Sequence, residues 1–263
     1  MSCPSLLITI GDLPVLIQTQ SPELMTGLRR RFEGFTDAGS TAPVLRLQIE
    51  VGSSGRSFGK PITVRRAGNR YQIARDDFTA ELSLDLGTGV VRQLPMEWIT
   101  DTVLRAAHTL LLARVGGFLL HASSILRDGT SQVFTGLSGA GKTTIASLRP
   151  SNSLLLSDEI SYIRERDGCF IAFGTPFYGE LARPGDNVSA PVSALYFLEK
   201  GHSNATAPMP VRECARRFMR NVLFFSPERE MAAAVFATAC RFMETVPCRR
   251  LTFSPDPSVF EVL

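Results

Sequence analysis

Several features that define whole classes of protein are missing from this chain. No stretch of its 263 residues approaches the roughly 18 apolar residues that a membrane-spanning helix needs. The first 17 residues have no basic segment and are interrupted by Gly11-Asp12 and Pro14, so a secretory signal peptide is not expected. We therefore expect a cytoplasmic protein with no membrane partner.

Cysteine and histidine are scarce and carry no metal-binding pattern. The five cysteines are odd in number and include no Cys-x-x-Cys pair, which argues against a disulfide scaffold and against a zinc site. The histidines His108, His121 and His202 have no metal-ligand spacing among themselves. We expect five reduced thiols, as is usual in the cytoplasm.

Charge of one sign is also not in large excess. The formal net charge of +3 is too small to indicate a nucleic-acid or membrane partner. With 44% hydrophobic and 20% charged residues and no internal repeat, the composition is that of an ordinary globular protein of one large domain or two small ones.

Hydrophobic patterning predicts an α/β protein with a mixed sheet, in three parts. Residues 1–95 are predicted to form a β-rich domain of docking or assembly function, with one helix at Pro22–Phe32 capped by Ser21. Residues 96–116 are predicted to form a connecting helix, over Glu97–Val115, that ends at Gly116-Gly117. Residues 117–263 are predicted to form the chemical domain. Its elements are strands at Phe118–Leu126, Ser131–Thr135, Leu154–Ser157, Ile160–Arg164, Cys169–Phe173, Ala194–Leu198 and Cys248–Phe253, and helices at Thr143–Leu148, Val211–Phe225 and Pro227–Thr245.

The most informative motif is a glycine-rich segment between a predicted strand and a predicted helix. It matches the phosphate-binding pattern G-x-x-x-x-G-K-[ST], in which glycines let backbone N–H groups surround an anion at a helix N-terminus. Lys142 adds a positive charge for the outer phosphates, and Thr143 offers a hydroxyl to Mg²⁺. The residues expected to bind the nucleotide are Gly136, Leu137, Ser138, Gly139, Ala140, Gly141, Lys142, Thr143 and Thr144.

Two adjacent acids follow a buried strand. Asp158 and Glu159 come directly after Leu154–Ser157, where P-loop proteins place a metal-holding carboxylate. Two close acids can also divide metal binding from proton transfer, because like charges separate their pKa values. The alternative is that one of them, Glu159 in particular, is a solvated loop residue.

Four motifs together resemble those of the HPr serine kinase/phosphorylase-like family. They are Leu120-His121-Ala122-Ser123, Gly136–Thr143, Leu156-Ser157-Asp158-Glu159 and Gly174-Thr175-Pro176-Phe177-Tyr178-Gly179-Glu180. The resemblance covers about residues 117–260 and implies a P-loop HPr kinase/phosphoenolpyruvate carboxykinase-like catalytic domain.

The resemblance also implies roles for individual residues. Asp158 would be the general base for the acceptor hydroxyl, helped by Lys142. Glu159 would take the place of a second aspartate as a metal ligand, and His121 would line the site. Glu180 lies where true HPr kinases carry a Glu-apolar-Arg-Gly signature for metal binding. This chain lacks that signature, so HPr itself is not the expected substrate.

These observations lead us to expect a kinase with ATP and Mg²⁺ as its cofactors. It would transfer the γ-phosphoryl group to a hydroxyl, with serine the favoured acceptor, on a peptide, small protein or small molecule. The alternative is a nucleotide-binding scaffold or slow ATPase that acts through a protein partner. A homo-oligomer is possible, since true HPr kinases are hexamers.

One cluster of basic residues leaves two interpretations open. Arg212, Arg216 and Arg220 recur at helical spacing on one face, with Arg217 beside them. They would either receive an anionic substrate or the transferring phosphate, or form a solvated basic face.

Overall fold

The chain folds into a mixed α/β structure with about 27% helix and 41% strand, which confirms the predicted class. The structure is a computed structural model that describes residues 3–37, 41–52, 61–226 and 228–263. Within these residues the contacts define two compact units: Met1–Leu111 with Phe224–Ala232, and Leu112–Leu223 with Ala233–Leu263. The boundaries expected from the sequence, 1–95, 96–116 and 117–263, stay a prediction.

A seven-stranded mixed sheet forms the framework of the first unit in its described part. The strands are β1 Ser5–Ile10, β2 Leu13–Thr19, β3 Leu45–Val51, β4 Thr63–Ala67, β5 Arg70–Arg75, β6 Phe78–Ser83 and β7 Thr88–Gln93. Their order is β1-β2-β3-β7-β6-β5-β4. Strand β3 is parallel to β2 and β7, and the other neighbours are antiparallel.

Helix α1, Pro22–Arg31, begins as the sequence predicts. The Ser21 hydroxyl accepts a hydrogen bond from Leu24 N at 3.2 Å, and Pro22 occupies the first turn, where it removes no helical hydrogen bond. The buried side chains of Leu24 and Leu28 lie on its apolar face.

Helix α2, Glu97–Val115, has the predicted bounds and crosses the division between the two units at Leu111. Most of its apolar side chains are buried, including Val103, Leu104 and Leu110. Gly116 follows with φ of +72°, the left-handed conformation that commonly ends a helix and that favours glycine.

The second unit contains a nine-stranded sheet among the residues described. Its strands are β8 Gly117–Arg127, β9 Thr130–Thr135, β10 Leu154–Ser157, β11 Ile160–Arg166, β12 Cys169–Phe173, β13 Ser189–Lys200, β14 Ala205–Pro208, β15 Val222–Leu223 and β16 Cys248–Phe253. The main order is β10-β8-β11-β12-β13-β16-β14, with β9 between β8 and β13 and with β15 on β8. Strand β13 runs parallel to β9 and β16.

Strand β8 exchanges its partners half-way along. Up to His121 it pairs with β11 and β15, and from Ala122 onward it pairs with β9 and β10. Ala122 N donates to Glu159 O at 3.0 Å at this change of partner. The register therefore places the turn at Asp158–Glu159 beside His121 on one edge of β8, and Thr135, the end of β9 where the glycine-rich segment begins, opposite Ala122 on the other edge.

The described part of the second unit also contains the α-helices α3 Lys142–Ser147, α4 Val211–Met219 and α5 Arg229–Thr245. Helix α5 starts in the segment Phe224–Ala232, which belongs to the first unit. Helix α4 ends earlier than the predicted Val211–Phe225, because the apolar pair Val222-Leu223 forms β15 against Leu119 and Leu120. The predicted first residue of the last helix, Pro227, lies outside the described residues. A 3₁₀ helix, Pro257–Glu261, follows β16.

A buried hydrophobic cluster of the second unit packs against the glycine-rich segment at Ala140. Phe134 of β9 stacks on Tyr196 of β13 with ring centroids 5.4 Å apart, and Ile145 of α3 is fully buried in the same cluster with Phe253. This packing fixes the end of β9 and the start of α3, the two anchors of the segment between them.

Among residues 3–37, 41–52, 61–226 and 228–263, we find no helix with the length and apolarity needed to cross a bilayer. Cytoplasmic localisation stays a prediction.

Candidate active site

The glycine-rich segment forms a loop from the end of β9 to the first turn of α3. Ala140 N donates to Leu137 O at 3.0 Å, which closes a tight turn. Gly139 has φ of +76° and Gly141 has φ of +103°, and residues with side chains rarely adopt these values. The structure therefore has the strand, loop and helix arrangement that the motif requires.

Close packing is a second reason for glycine in this loop. A Cβ atom at Gly141 would lie 2.6 Å from Phe253 Cζ, and one at Gly136 would lie 2.9 Å from Ala140 Cβ. Phe253 belongs to the buried core, so its ring has little room to move.

Lys142 points back into the loop. Its side chain is 8% exposed, and Nζ donates to Gly136 O at 3.1 Å and to Leu137 O at 3.2 Å. Burial lowers the pKa of Lys142 below its ordinary value, and the charges of Glu180 and Glu159 oppose that shift. An anion that enters the loop would give this buried ammonium group a full negative partner.

The loop opens onto a cavity of about 240 Å³ that collects most of the predicted site residues. Its lining is His121, Ser138, Gly139, Gly141, Lys142, Thr143, Thr144, Asp158, Glu159, Gly179 and Glu180. Every residue that the sequence analysis assigned to catalysis or to the metal thus borders one space. The remaining predicted nucleotide-binding residues, Gly136, Leu137 and Ala140, border a neighbouring cavity instead.

Asp158 lines the cavity and also holds a neighbouring segment. It is 3% exposed; Oδ1 accepts from Gly179 N at 3.0 Å and Oδ2 accepts from Leu181 N at 2.9 Å. Each carboxylate oxygen retains further acceptor capacity. The carboxylate therefore fixes residues 179–181 beside the loop and remains able to accept another proton donor.

The turn that carries the two acids is shaped by the preceding serine. Ser157 Oγ accepts from Ile160 N at 2.8 Å and from Glu159 N at 3.2 Å, a side-chain to backbone arrangement typical of tight turns. Glu159 is half-buried and Glu180 is exposed, so the two differ in their access to solvent.

His121 is half-buried at the point where β8 changes partner. Its backbone is fixed on both sides, since N donates to Asn221 O at 2.7 Å and O accepts from Thr135 Oγ1 at 3.0 Å. Burial is the largest cause that lowers the pKa of His121; Lys142 lowers it further and Glu159 opposes the shift. The imidazole is therefore biased toward its neutral form.

Gly179 is a site residue that the sequence analysis did not assign. Besides its bond to Asp158, it lies so close to Glu159 that a Cβ atom would be 3.1 Å from Glu159 Cβ. The available signal was the glycine directly before Glu180 in the segment Gly174–Glu180.

A comparison with protein-family models identifies a match. The model of the SynChlorMet cassette protein ScmC matches residues 88–261, which is more than half of the chain. The chain belongs to this family. No curated protein matches the chain.

This finding corrects the family assignment made from the sequence. The resemblance to the HPr serine kinase/phosphorylase-like family is wrong, because the matching family is ScmC and no kinase family matches. The four motifs are short, and short motifs of this kind recur in proteins of different families.

The ScmC match runs from the start of β7 to the end of the 3₁₀ helix and includes the whole cavity. Within the described part of the chain, no group of three or more His, Cys, Asp or Glu side chains is arranged to hold a metal ion. A cation at this site would need ligands from a bound molecule in addition to Thr143 and the carboxylates.

Proposed function

We propose that this protein is a phosphotransferase that uses ATP and Mg²⁺. It transfers the γ-phosphoryl group to a hydroxyl, with serine the favoured acceptor, on a peptide, small protein or small molecule. The observation that carries the proposal is the single cavity in which the phosphate loop, Lys142, Thr143 and three carboxylates meet. The kinase-type fold of residues 117–263 is part of the same proposal.

The phosphate loop supplies the binding energy. Its backbone N–H groups and the N-terminus of α3 favour an anion, and the ammonium group of Lys142 is already inside the loop. Binding of the outer phosphates would replace its carbonyl partners with charged oxygens, which form stronger hydrogen bonds.

The donor set fits Mg²⁺. Thr143, Glu159 and Glu180 offer oxygen atoms, which Mg²⁺ prefers, and the cavity is too sparse in ligands to form an all-protein cage. These residues would hold the ion together with phosphate oxygens, and the ion would neutralise charge on the phosphates.

Asp158 supports transfer rather than binding alone. Its carboxylate faces the phosphate cavity, is fixed by two backbone N–H groups and has capacity for one more donor. A fixed carboxylate of this kind orients an acceptor hydroxyl and takes its proton, which is the contribution that phosphoryl transfer needs from a protein besides positioning.

The alternative is a nucleotide-binding scaffold or slow ATPase that acts through a partner. It needs the loop and the cation but has no use for a buried carboxylate, Asp158, in addition to Glu159 and Glu180. The position of Asp158 in the cavity favours the kinase.

The test is ³²P transfer from labelled ATP–Mg²⁺ to free serine and serine-containing peptides, with ATP binding measured by titration calorimetry. Lys142→Ala should weaken ATP binding by roughly 10- to 100-fold, because it removes charge-assisted hydrogen bonds. Asp158→Asn should bind ATP and lose at least about 100-fold in transfer. Asp128→Asn makes the same chemical change at an exposed turn and should behave as wild type.

Two results would contradict the kinase. ADP formation that is the same with and without every acceptor would identify a slow ATPase. Equal ATP affinity in wild type and Lys142→Ala would remove the loop as the nucleotide site.

A further inference from the structure

A second cavity adjoins the first, and its lining is strongly basic. Ser138 and Gly139 line both spaces. The second cavity has a volume of about 530 Å³, within the range of sites for small molecules and short peptide segments. Its charged lining residues are the cations Lys200, Arg216, Arg217 and Arg220 and the carboxylate of Glu199.

Part of this charge is neutralised by a fixed network. Arg217 Nη1 lies 2.7 Å from Glu199 Oε1, and Arg217 Nη2 lies 2.7 Å from Glu213 Oε1. Arg250 Nε lies 3.3 Å from Glu199 Oε1, and Arg250 Nη2 lies 3.1 Å from Glu213 Oε2. The network connects α4 to β13 and β16, so it stiffens the wall of the cavity. Both carboxylates are engaged by this pair of arginines.

The other basic side chains keep their charge available. In the part of the chain that the structure describes, no carboxylate lies within 4.0 Å of Arg216, Arg220 or Lys200. Arg216 and Arg220 are exposed. The cavity therefore presents planar guanidinium groups, which match carboxylates in shape and charge.

The cavity also lies at the correct end of the phosphate loop for an acceptor. Lys142 Nζ contacts the carbonyls of Gly136 and Leu137, and these two residues line the second cavity. In a phosphate loop the lysine reaches the outer phosphates, while the helix N-terminus takes the inner ones. The transferred phosphoryl group would then lie at Lys142, in the first cavity with Asp158. Because the two cavities share Ser138 and Gly139, a peptide held in the basic cavity would extend its hydroxyl past these residues toward Asp158.

We propose that the cavity lined by Arg216, Arg220 and Lys200 binds the phosphoryl acceptor, a peptide with acidic side chains next to its hydroxyl. Leu137, 72% exposed at the edge of the cavity, adds apolar contact for the peptide. This inference rests on the proposed function, because it names the acceptor of the same reaction.

The experiment measures peptide binding without requiring transfer. A fluorescein-labelled serine peptide flanked by Asp and Glu is compared with one flanked by Asn and Gln, by anisotropy at low salt. Wild type should bind the acidic peptide about tenfold more tightly, and added salt should remove the difference. The double variant Arg216→Gln/Arg220→Gln should lose the preference.

Arg212→Gln is the matched control. Arg212 is on α4, exposed, and outside the lining of the cavity, so its variant should keep the preference. Three outcomes would overturn the inference: unchanged preference in the double variant, loss of the preference in Arg212→Gln as well, or displacement of the peptide by ATP, which would make this the nucleotide site.

Label transfer in the same samples separates the two proposals. If the acidic peptide binds through Arg216 and Arg220 but receives no label from ATP, the proposed kinase reaction fails and the anion site stands. If acidic and neutral peptides are labelled equally by wild type and by the double variant, the kinase stands and the acceptor site fails.

Discussion

Substitution of Asp158 by asparagine should loosen the segment that this carboxylate holds. In the native protein one oxygen accepts from Gly179 N and the other from Leu181 N. Asparagine offers one acceptor oxygen and an NH₂ group that only donates. One backbone N–H would therefore face another donor and lose its partner in a buried site.

The cost can be worked out from these two bonds. A hydrogen bond to a charged group contributes about 1.5–3 kcal/mol, and a buried donor left unpaired costs about 1–3 kcal/mol. The surviving bond becomes a neutral one and weakens by about half. We expect Asp158→Asn to destabilise residues 179–181 by about 2–4 kcal/mol.

Hydrogen exchange followed by mass spectrometry measures this locally. Peptides that cover residues 174–185 should lose roughly 30- to 1,000-fold in protection, since each 1.4 kcal/mol is a factor of ten. Asp128→Asn, exposed in the turn between β8 and β9, and Glu180→Gln, which leaves both bonds of Asp158 intact, should keep wild-type protection.

Equal protection in Asp158→Asn and Asp128→Asn would refute this reasoning. If the expected loss is found, reduced phosphoryl transfer in Asp158→Asn combines two effects: removal of a base and release of the segment with Glu180. Glu180→Gln then shows how much of the loss comes from the segment's own acid.

Three further predictions concern the same cavity. Gly141→Ala should cost about 1–3 kcal/mol in strain and weaken ATP binding, because φ is +103° and Cβ would lie 2.6 Å from Phe253; an unchanged melting temperature would contradict this. Thr143→Val should weaken ATP binding in calorimetry by about tenfold with Mg²⁺ and leave it unchanged in EDTA; equal loss in both would indicate packing rather than metal binding. In EDTA the melting temperature should fall as the pH drops below 6.5, since burial and Lys142 lower the pKa of folded His121 and the unfolded chain takes up the proton first. His121→Asn should flatten the dependence of melting temperature on pH below 6.5. A variant with the same pH dependence as wild type would refute the assignment of this effect to His121.

The sequence predicts the local elements well wherever one residue pattern decides the outcome. Helix α1 begins at Pro22 because Ser21 caps it, and α2 ends before the left-handed Gly116. Helix α4 shows where a local residue pattern fails to predict the structure. Its helical pattern continues past Met219, but Val222 and Leu223 pair with β8, a contact with a strand about one hundred residues earlier. Tertiary pairing of this kind is not encoded in local periodicity.

The sequence predicts which residues line the candidate site but not the hydrogen bonds that link them. Each acid and each loop residue has a recognisable local context, so the presence of the acids with Lys142 and Thr143 in one cavity follows from general rules for phosphate binding. The two hydrogen bonds that Asp158 accepts from residues 179 and 181 do not follow from such rules. They depend on how segment 174–187 returns to β10, through hydrogen bonds such as that from Thr175 N to Leu156 O at 3.0 Å. The family was mispredicted for the related reason that short motifs report chemistry and not ancestry.

The arginine cluster shows how the fold makes testable an alternative that helical spacing leaves open. Spacing places Arg212, Arg216 and Arg220 on one face, and the fold gives them different surroundings: Arg212 lies outside the basic cavity, whereas the other two line it. Arg217, one position off that face, is the residue that Glu199 and Glu213 neutralise. A uniform solvated face would make the three spaced arginines equivalent in any binding assay. If Arg216 and Arg220 differ from Arg212 in peptide binding, the difference comes from the cavity beside the phosphate loop and not from the charge of the helix.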